Sequence, residues 1–101
     1  MIKTVLSEEL KEEMKSFDRE AHLLVADESK STNEIETAFT MAVTFNTILK
    51  RLYPQEEFEE WGFEGENLDY LINRGVPHTY EFFKDRGHEA EFIRLRLSGI
   101  I

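Results

Sequence analysis

Four residues near the C-terminus have the types and the spacing of metal ligands. His78, Glu81, Asp85 and His88 are separated by three, four and three positions, so one continuous helix would bring two imidazoles and two carboxylates to a single face. That donor set suits zinc and related ions. On the same helical wheel, however, Val76, Tyr80, Phe83 and Ala90 fall nearly opposite, and Gly87 ends a helix before His88 is reached. A charged face opposite an apolar stripe is one that meets water. The quartet is therefore read as solvated surface, and neither a metal nor another cofactor is expected.

Paired carboxylates are the raw material of general acid–base and glycosidase chemistry. With 21 Asp and Glu residues in the chain, such pairs arise everywhere and single out nothing. There is no cysteine, hence no thiolate nucleophile, disulfide framework or zinc ribbon. Lys30-Ser31 has the ending of a phosphate loop without its glycines, and neither a nucleophile elbow nor a His-Glu-x-x-His pattern occurs. The chain is expected to be non-enzymatic, with a small metal-dependent enzyme built on His78, Glu81, Asp85 and His88 as the lesser alternative.

The most informative stretch is residues 55–73. It carries Glu56, Glu57, Glu59, Glu60, Glu64, Glu66 and Asp69 without one lysine or arginine, and Phe58, Trp61, Phe63 and Tyr70 stand among them. Concentrated negative charge speeds encounter with a basic partner, while large rings supply the binding energy once desolvated. Glu56, Glu57, Glu59, Glu60, Glu64, Glu66 and Asp69 are thus assigned to charge and Phe58, Trp61 and Phe63 to anchoring, in an inhibitor or modulator that covers a basic surface of a partner protein. A nucleic-acid-binding surface fits, with the acids mimicking phosphates. The competing reading is that Phe58 and Trp61, three positions apart, face the protein's own core while the glutamates face water. Small acidic proteins of this design are common among phage and mobile-element factors that disable host machinery, and that origin is an expectation here.

Within this stretch, Gly65-Glu66-Asn67-Leu68-Asp69-Tyr70-Leu71 resembles the loop-and-helix segment of the barstar-type ribonuclease inhibitors over seven residues. The resemblance implies that an acidic loop-helix can plug a basic enzyme site. A second acidic position of that pattern falls at Asn73, and the alternation of strands and helices found in those inhibitors is missing.

A different feature marks the second long helix. Thr37, Thr40, Thr44 and Thr47 form an uncharged polar stripe, with Asn46 beside it. An exposed face would carry better helix formers. Threonine fits a half-buried face on which the methyl packs and the hydroxyl bonds back to the chain. Such a face meets either a neighbouring helix of the same domain or a second subunit. Eight of the twelve aromatic residues follow Pro54, which adds to the second reading, self-association as a two-fold dimer.

The elements that must position these groups are helical. Leu10, Met14, Phe17, Ala21 and Leu24 recur at helical spacing behind Ser7-Glu8-Glu9, predicting a helix over 7–26, although Leu23-Leu24-Val25 also suits a short strand. Ile35, Ala38, Phe39, Ala42, Phe45, Leu49 and Leu52 predict a second over 33–53, capped by Asn33 and stopped by Pro54. Three or four short helices are expected afterwards: one from Pro54 to about Trp61, one capped by Asn67 and closed by Gly75, one opened by Pro77 and closed by Gly87, and one over 88–97. The alternation in 93–97 also suits a strand paired with residues 2–6, so a small sheet from the termini is the alternative. The fold class is all-α, in one domain.

Length and charge complete the reading. A chain of 101 residues supports one domain with one modest core. A net charge of −9 disfavours direct nucleic-acid binding, which requires basic residues to displace counterions. No apolar run approaches the ~20 residues of a membrane span. Residues 1–6 are too short and too soon acidic for a signal peptide. The expected setting is the cytoplasm.

Overall fold

The computed structural model describes residues 6–63 and 65–101 as four helices: α1 (Glu8–Val25), α2 (Thr32–Leu52), α3 (Glu66–Asp85) and α4 (Glu89–Leu97). No strand occurs among the described residues, so the strand alternatives at 23–25 and 93–97 give way to helix. The proposed partner strand, residues 2–6, lies outside them except for Leu6, which is buried.

Each long helix begins where its chemistry allows. Ser7 caps α1, its hydroxyl accepting from the Leu10 N–H at 3.1 Å, and Glu8 and Glu9 lie at the positive end of the dipole. In α2 the cap is Ser31, accepting from the Glu34 N–H at 3.2 Å, so Asn33 is already inside the helix rather than its cap. Tyr53 closes α2 ahead of Pro54.

The expected break at Gly75 and Pro77 does not occur. Both sit inside α3. Pro77 cannot donate to the Asn73 carbonyl, but both residues are exposed, so water can take the orphaned acceptor. Gly75 is fully enclosed: a methyl there would lie 2.7 Å from the Thr40 carbonyl carbon and overlap the Thr44 hydroxyl. The glycine is therefore a crossing point of α3 on α2, not a helix stop.

Helix α1 runs antiparallel to α2, with Lys11 over the Tyr53 ring and Phe17 edge-on to Phe45 at 5.2 Å. Helix α3 runs in the same sense as α2: Arg74 pairs with Glu36, Gly75 meets Thr40 and Thr44, and Phe82 meets Phe45 at 4.7 Å. Between them lies one core that includes Leu10, Met14, Phe45, Ile48, Leu49 and Phe83. Gly87, at φ +77°, turns the chain so that Phe92 and Leu95 of α4 close its far end.

Parallel neighbours need a long return, and this explains the segment between them. Returning from Tyr53 to the level of Phe39 means covering fourteen helical residues, about 21 Å. An eight-residue helix over 54–61 would cover only about 12 Å. It would also set Glu56 against Glu60, and Glu57 against Glu60, on adjacent turns, where like charges repel. Residues 54–63 accordingly form an irregular strap rather than the short helix expected there.

Candidate functional site

The strap lies in the groove between α1 and α2, and two stripes of side chains line it. Lys11, Lys15, Asp18 and His22 follow one face of α1; Phe39, Asn46 and Lys50 follow one face of α2. The strap supplies a partner to each of them. Glu56 bridges the Lys11 and Lys15 ammonium groups, the latter at 3.2 Å. The Asn46 amide donates to the Glu59 carbonyl at 2.7 Å, and Lys50 pairs with Glu60 at 2.5 Å. The Trp61 indole donates to Asp18 Oδ1 at 2.8 Å, stacks on His22 at 3.7 Å between centroids and meets the Phe39 edge at 5.0 Å.

Burial sets the electrostatics. Asp18 is only 3% exposed, and loss of hydration pushes its carboxyl above the ordinary 3.8. The Trp61 N–H, the neighbouring His22 and the Asn46 amide at 3.4 Å oppose that shift without cancelling it. Glu56 is held below its ordinary 4.5, chiefly by the Lys11 hydrogen bond. The same bond raises Lys11 against the effect of its burial.

The residues assigned to a binding patch therefore divide into two sets. Glu56 and Trp61 are turned inward. Phe58 is half-buried, packs against the core and, with Glu57 and Glu60, lines two open clefts of about 570 and 520 Å³. Glu57, Glu59 and Glu60 project outward from the strap, and Glu66 and Asp69 do so from the first turn of α3. Phe63 rests on Phe39 at 5.1 Å yet stays 39% exposed. Glu64 lies outside the described residues. Tyr70, not among the anchors chosen from sequence, is 59% exposed and accepts from Arg74 at 3.0 Å.

The threonine stripe meets α3 of the same chain. Thr40, Thr44 and Thr47 are buried, Thr37 is half-buried, and Thr79 faces them from α3. Their hydroxyls bond back to helix carbonyls, Thr44 to Thr40 and Thr47 to Val43 at 2.9 Å each. Close packing of small polar residues is what the stripe accomplishes here.

His78, Glu81 and Asp85 lie exposed along α3. His88 follows the end of that helix and turns its Nδ1 to Glu91 at 2.9 Å. Among the described residues, no three His, Asp or Glu side chains converge as a metal site would require. Nor, among them, does a histidine nitrogen meet a serine or threonine hydroxyl. No described helix is long and apolar enough to cross a membrane.

Asp18, His22 and Asn46 were not legible as site residues. Asp18 and His22 are marked only by their four-residue step, which is commonplace on helices, and Asn46 only by its place beside the threonine stripe. Comparison with protein-family models, with curated proteins and with solved structures finds no match to this chain.

Proposed function

We propose that this is a non-enzymatic protein–protein interaction module that inhibits or modulates a partner by covering a basic surface, nucleic-acid-binding surfaces included. One observation carries the reading: Glu57, Glu59, Glu60, Glu66 and Asp69 are all exposed, and so are the rings of Phe63 and Tyr70 in the same stretch. Lysine and arginine are absent from the whole of residues 55–73. Clustered acids steer a cationic partner in, and partly exposed aromatics anchor it. Trp61 and Glu56 serve by holding the strap in place. A phage or mobile-element factor that disables host machinery would need a surface of this kind.

The test is a triple charge reversal, Glu57→Lys, Glu59→Lys and Asp69→Lys, in the full chain. None of these side chains is buried or ion-paired among the described residues, so folding is retained. Association with a partner captured from the native host should slow at least tenfold and lose much of its salt dependence. Unchanged association would remove this surface from the mechanism.

A second reading, self-association as a dimer, is favoured by α4, where Ile93 and Leu97 stand one turn apart at 46% and 83% exposure. Light scattering after size exclusion of the native chain and of Leu97→Glu decides it: a concentration-dependent dimer lost in the variant supports this reading.

A further inference from the structure

The groove beneath the strap has its own recognition chemistry, separate from the acidic outer face. Its floor is polar and fixed. Asp18 and Asn46 are 3% and 6% exposed, and each turns a hydrogen-bonding atom to whatever lies above. Asn46 donates to a main-chain carbonyl, which reads an extended backbone whatever its side chains. Asp18 accepts from an indole N–H, and His22 and Phe39 form a slot around that indole. Five residues earlier along the bound segment, Lys11 and Lys15 hold a carboxylate. Arg19 extends the cationic side along the cleft beside Phe58.

The segment now filling the groove is held chiefly through its side chains. No described residue among 53–65 is buried. From Glu57 to Phe63, the only backbone hydrogen bond to the rest of the chain among the described residues is the one Asn46 makes to Glu59. Segments with few buried contacts and solvent-exposed backbone open at the lowest free energy. Opening here also returns Lys11, Lys15 and Asp18 to water, and regained hydration offsets part of the lost contact energy. Gly62 and Gly65, at φ +76° and +65°, lie at its α3 end with open space around them.

We propose that the α1–α2 groove is a peptide-binding site kept shut by the chain's own strap. Its exchange occupant is an extended acidic segment of a partner protein. A carboxylate of that segment seats on Lys11 and Lys15, and a tryptophan five residues later bonds Asp18 and stacks on His22. Charge complementarity with the lysine-bearing wall selects the acidic segment, and the strap shows the geometry it must adopt. The strap acts as an intramolecular competitor. It lowers the apparent affinity of any incoming peptide by the fraction of molecules that are open.

The test uses full-length protein and an N-terminally labelled peptide of the strap sequence, residues 54–63, followed by fluorescence anisotropy. The double variant Glu56→Ala/Trp61→Ala removes the strap's contacts with Lys11, Lys15, Asp18 and His22 and should bind this peptide at least tenfold more tightly than the native chain does. Adding Lys15→Glu to that variant, or replacing the peptide's tryptophan with alanine, should reverse the gain. Equal binding by native chain and double variant, or no binding by a double variant whose circular dichroism remains helical, would overturn the proposal. If the double variant binds the native chain as tightly as it binds the peptide, the occupant is a second copy and the partner-protein assignment falls. Acrylamide quenching of Trp61 fluorescence in the native chain gives a reading that needs no variant. Quenching should rise when excess strap peptide, carrying a non-fluorescent tryptophan analogue, is added, and unchanged quenching at saturating peptide would refute the displaceable strap.

Discussion

The Trp61 indole reaches across the α1–α2 groove to the buried Asp18 carboxylate, 2.8 Å away, and this bond joins the strap to the body of the fold. The acceptor is a group that resists being charged where it lies. The donor belongs to the single tryptophan of the chain, so its fluorescence reports on the strap alone.

Replacing Asp18 separates the hydrogen bond from the charge. Asp18→Asn keeps an oxygen for the Trp61 N–H and removes the buried charge, so stability should change by less than about 1 kcal/mol. Asp18→Leu leaves the indole N–H and the Asn46 amide without that acceptor and should cost about 1–3 kcal/mol. Urea denaturation followed by Trp61 fluorescence measures both.

Stability should pass through a maximum on the acid side of neutrality. Burial holds Asp18 above 3.8, so folding takes up a proton there, and its contribution grows as pH falls through the raised value. Glu56 is held below 4.5 by Lys11, so its contribution is full above 4.5 and is lost as pH falls through the lowered value. Asp27, lowered by bonds from Ser29, adds to the loss at the acid end. In Asp18→Asn the gain on mild acidification should shrink while the acid-side loss persists. Denaturation midpoints between pH 7 and 3 decide it.

The crossing of α3 on α2 predicts opposite signs for two neighbouring substitutions. Gly75→Ala forces a methyl into the Thr40 backbone and should cost at least about 1–3 kcal/mol, the range for overpacking. Pro77→Ala restores a helical donor at an exposed position and should stabilise by about 1–2 kcal/mol, less than the ~3 kcal/mol propensity difference because the freed chain also gains unfolded entropy. Thermal melts of both variants provide the comparison.

Cutting the ionic clip should loosen the strap without unfolding the helices. Glu56→Gln removes a carboxylate shared by Lys11 and Lys15 and should shift Trp61 emission to longer wavelength as water reaches the ring. Helical circular dichroism should stay within a few per cent of native. Unshifted emission would show that the indole slot alone holds the strap.

Much of the helical content was legible because it depends on local periodicity. The stripe from Ile35 to Leu52 and the charges at its ends define α2 almost completely, with the cap displaced by two residues to Ser31. The α3 helix was misread for a reason intrinsic to single sequences. Gly75 beside Pro77 is the ordinary signature of one helix ending and another starting. What overrides it is Thr40, thirty-five positions away, whose backbone tolerates only a glycine.

The amino-acid sequence by itself determined an all-α chain, one continuous acidic stretch, and a threonine face suited to close packing. These follow from side-chain period, charge and volume, which act over a few residues. Only the tertiary structure decided that acidic stretch's two sides. The parallel sense of α2 and α3 requires a return longer than a short helix can span, so residues 54–63 are drawn out along the groove. That extension turns Glu56 and Trp61 inward onto Lys11, Lys15 and Asp18, and leaves Glu57, Glu59 and Glu60 facing water.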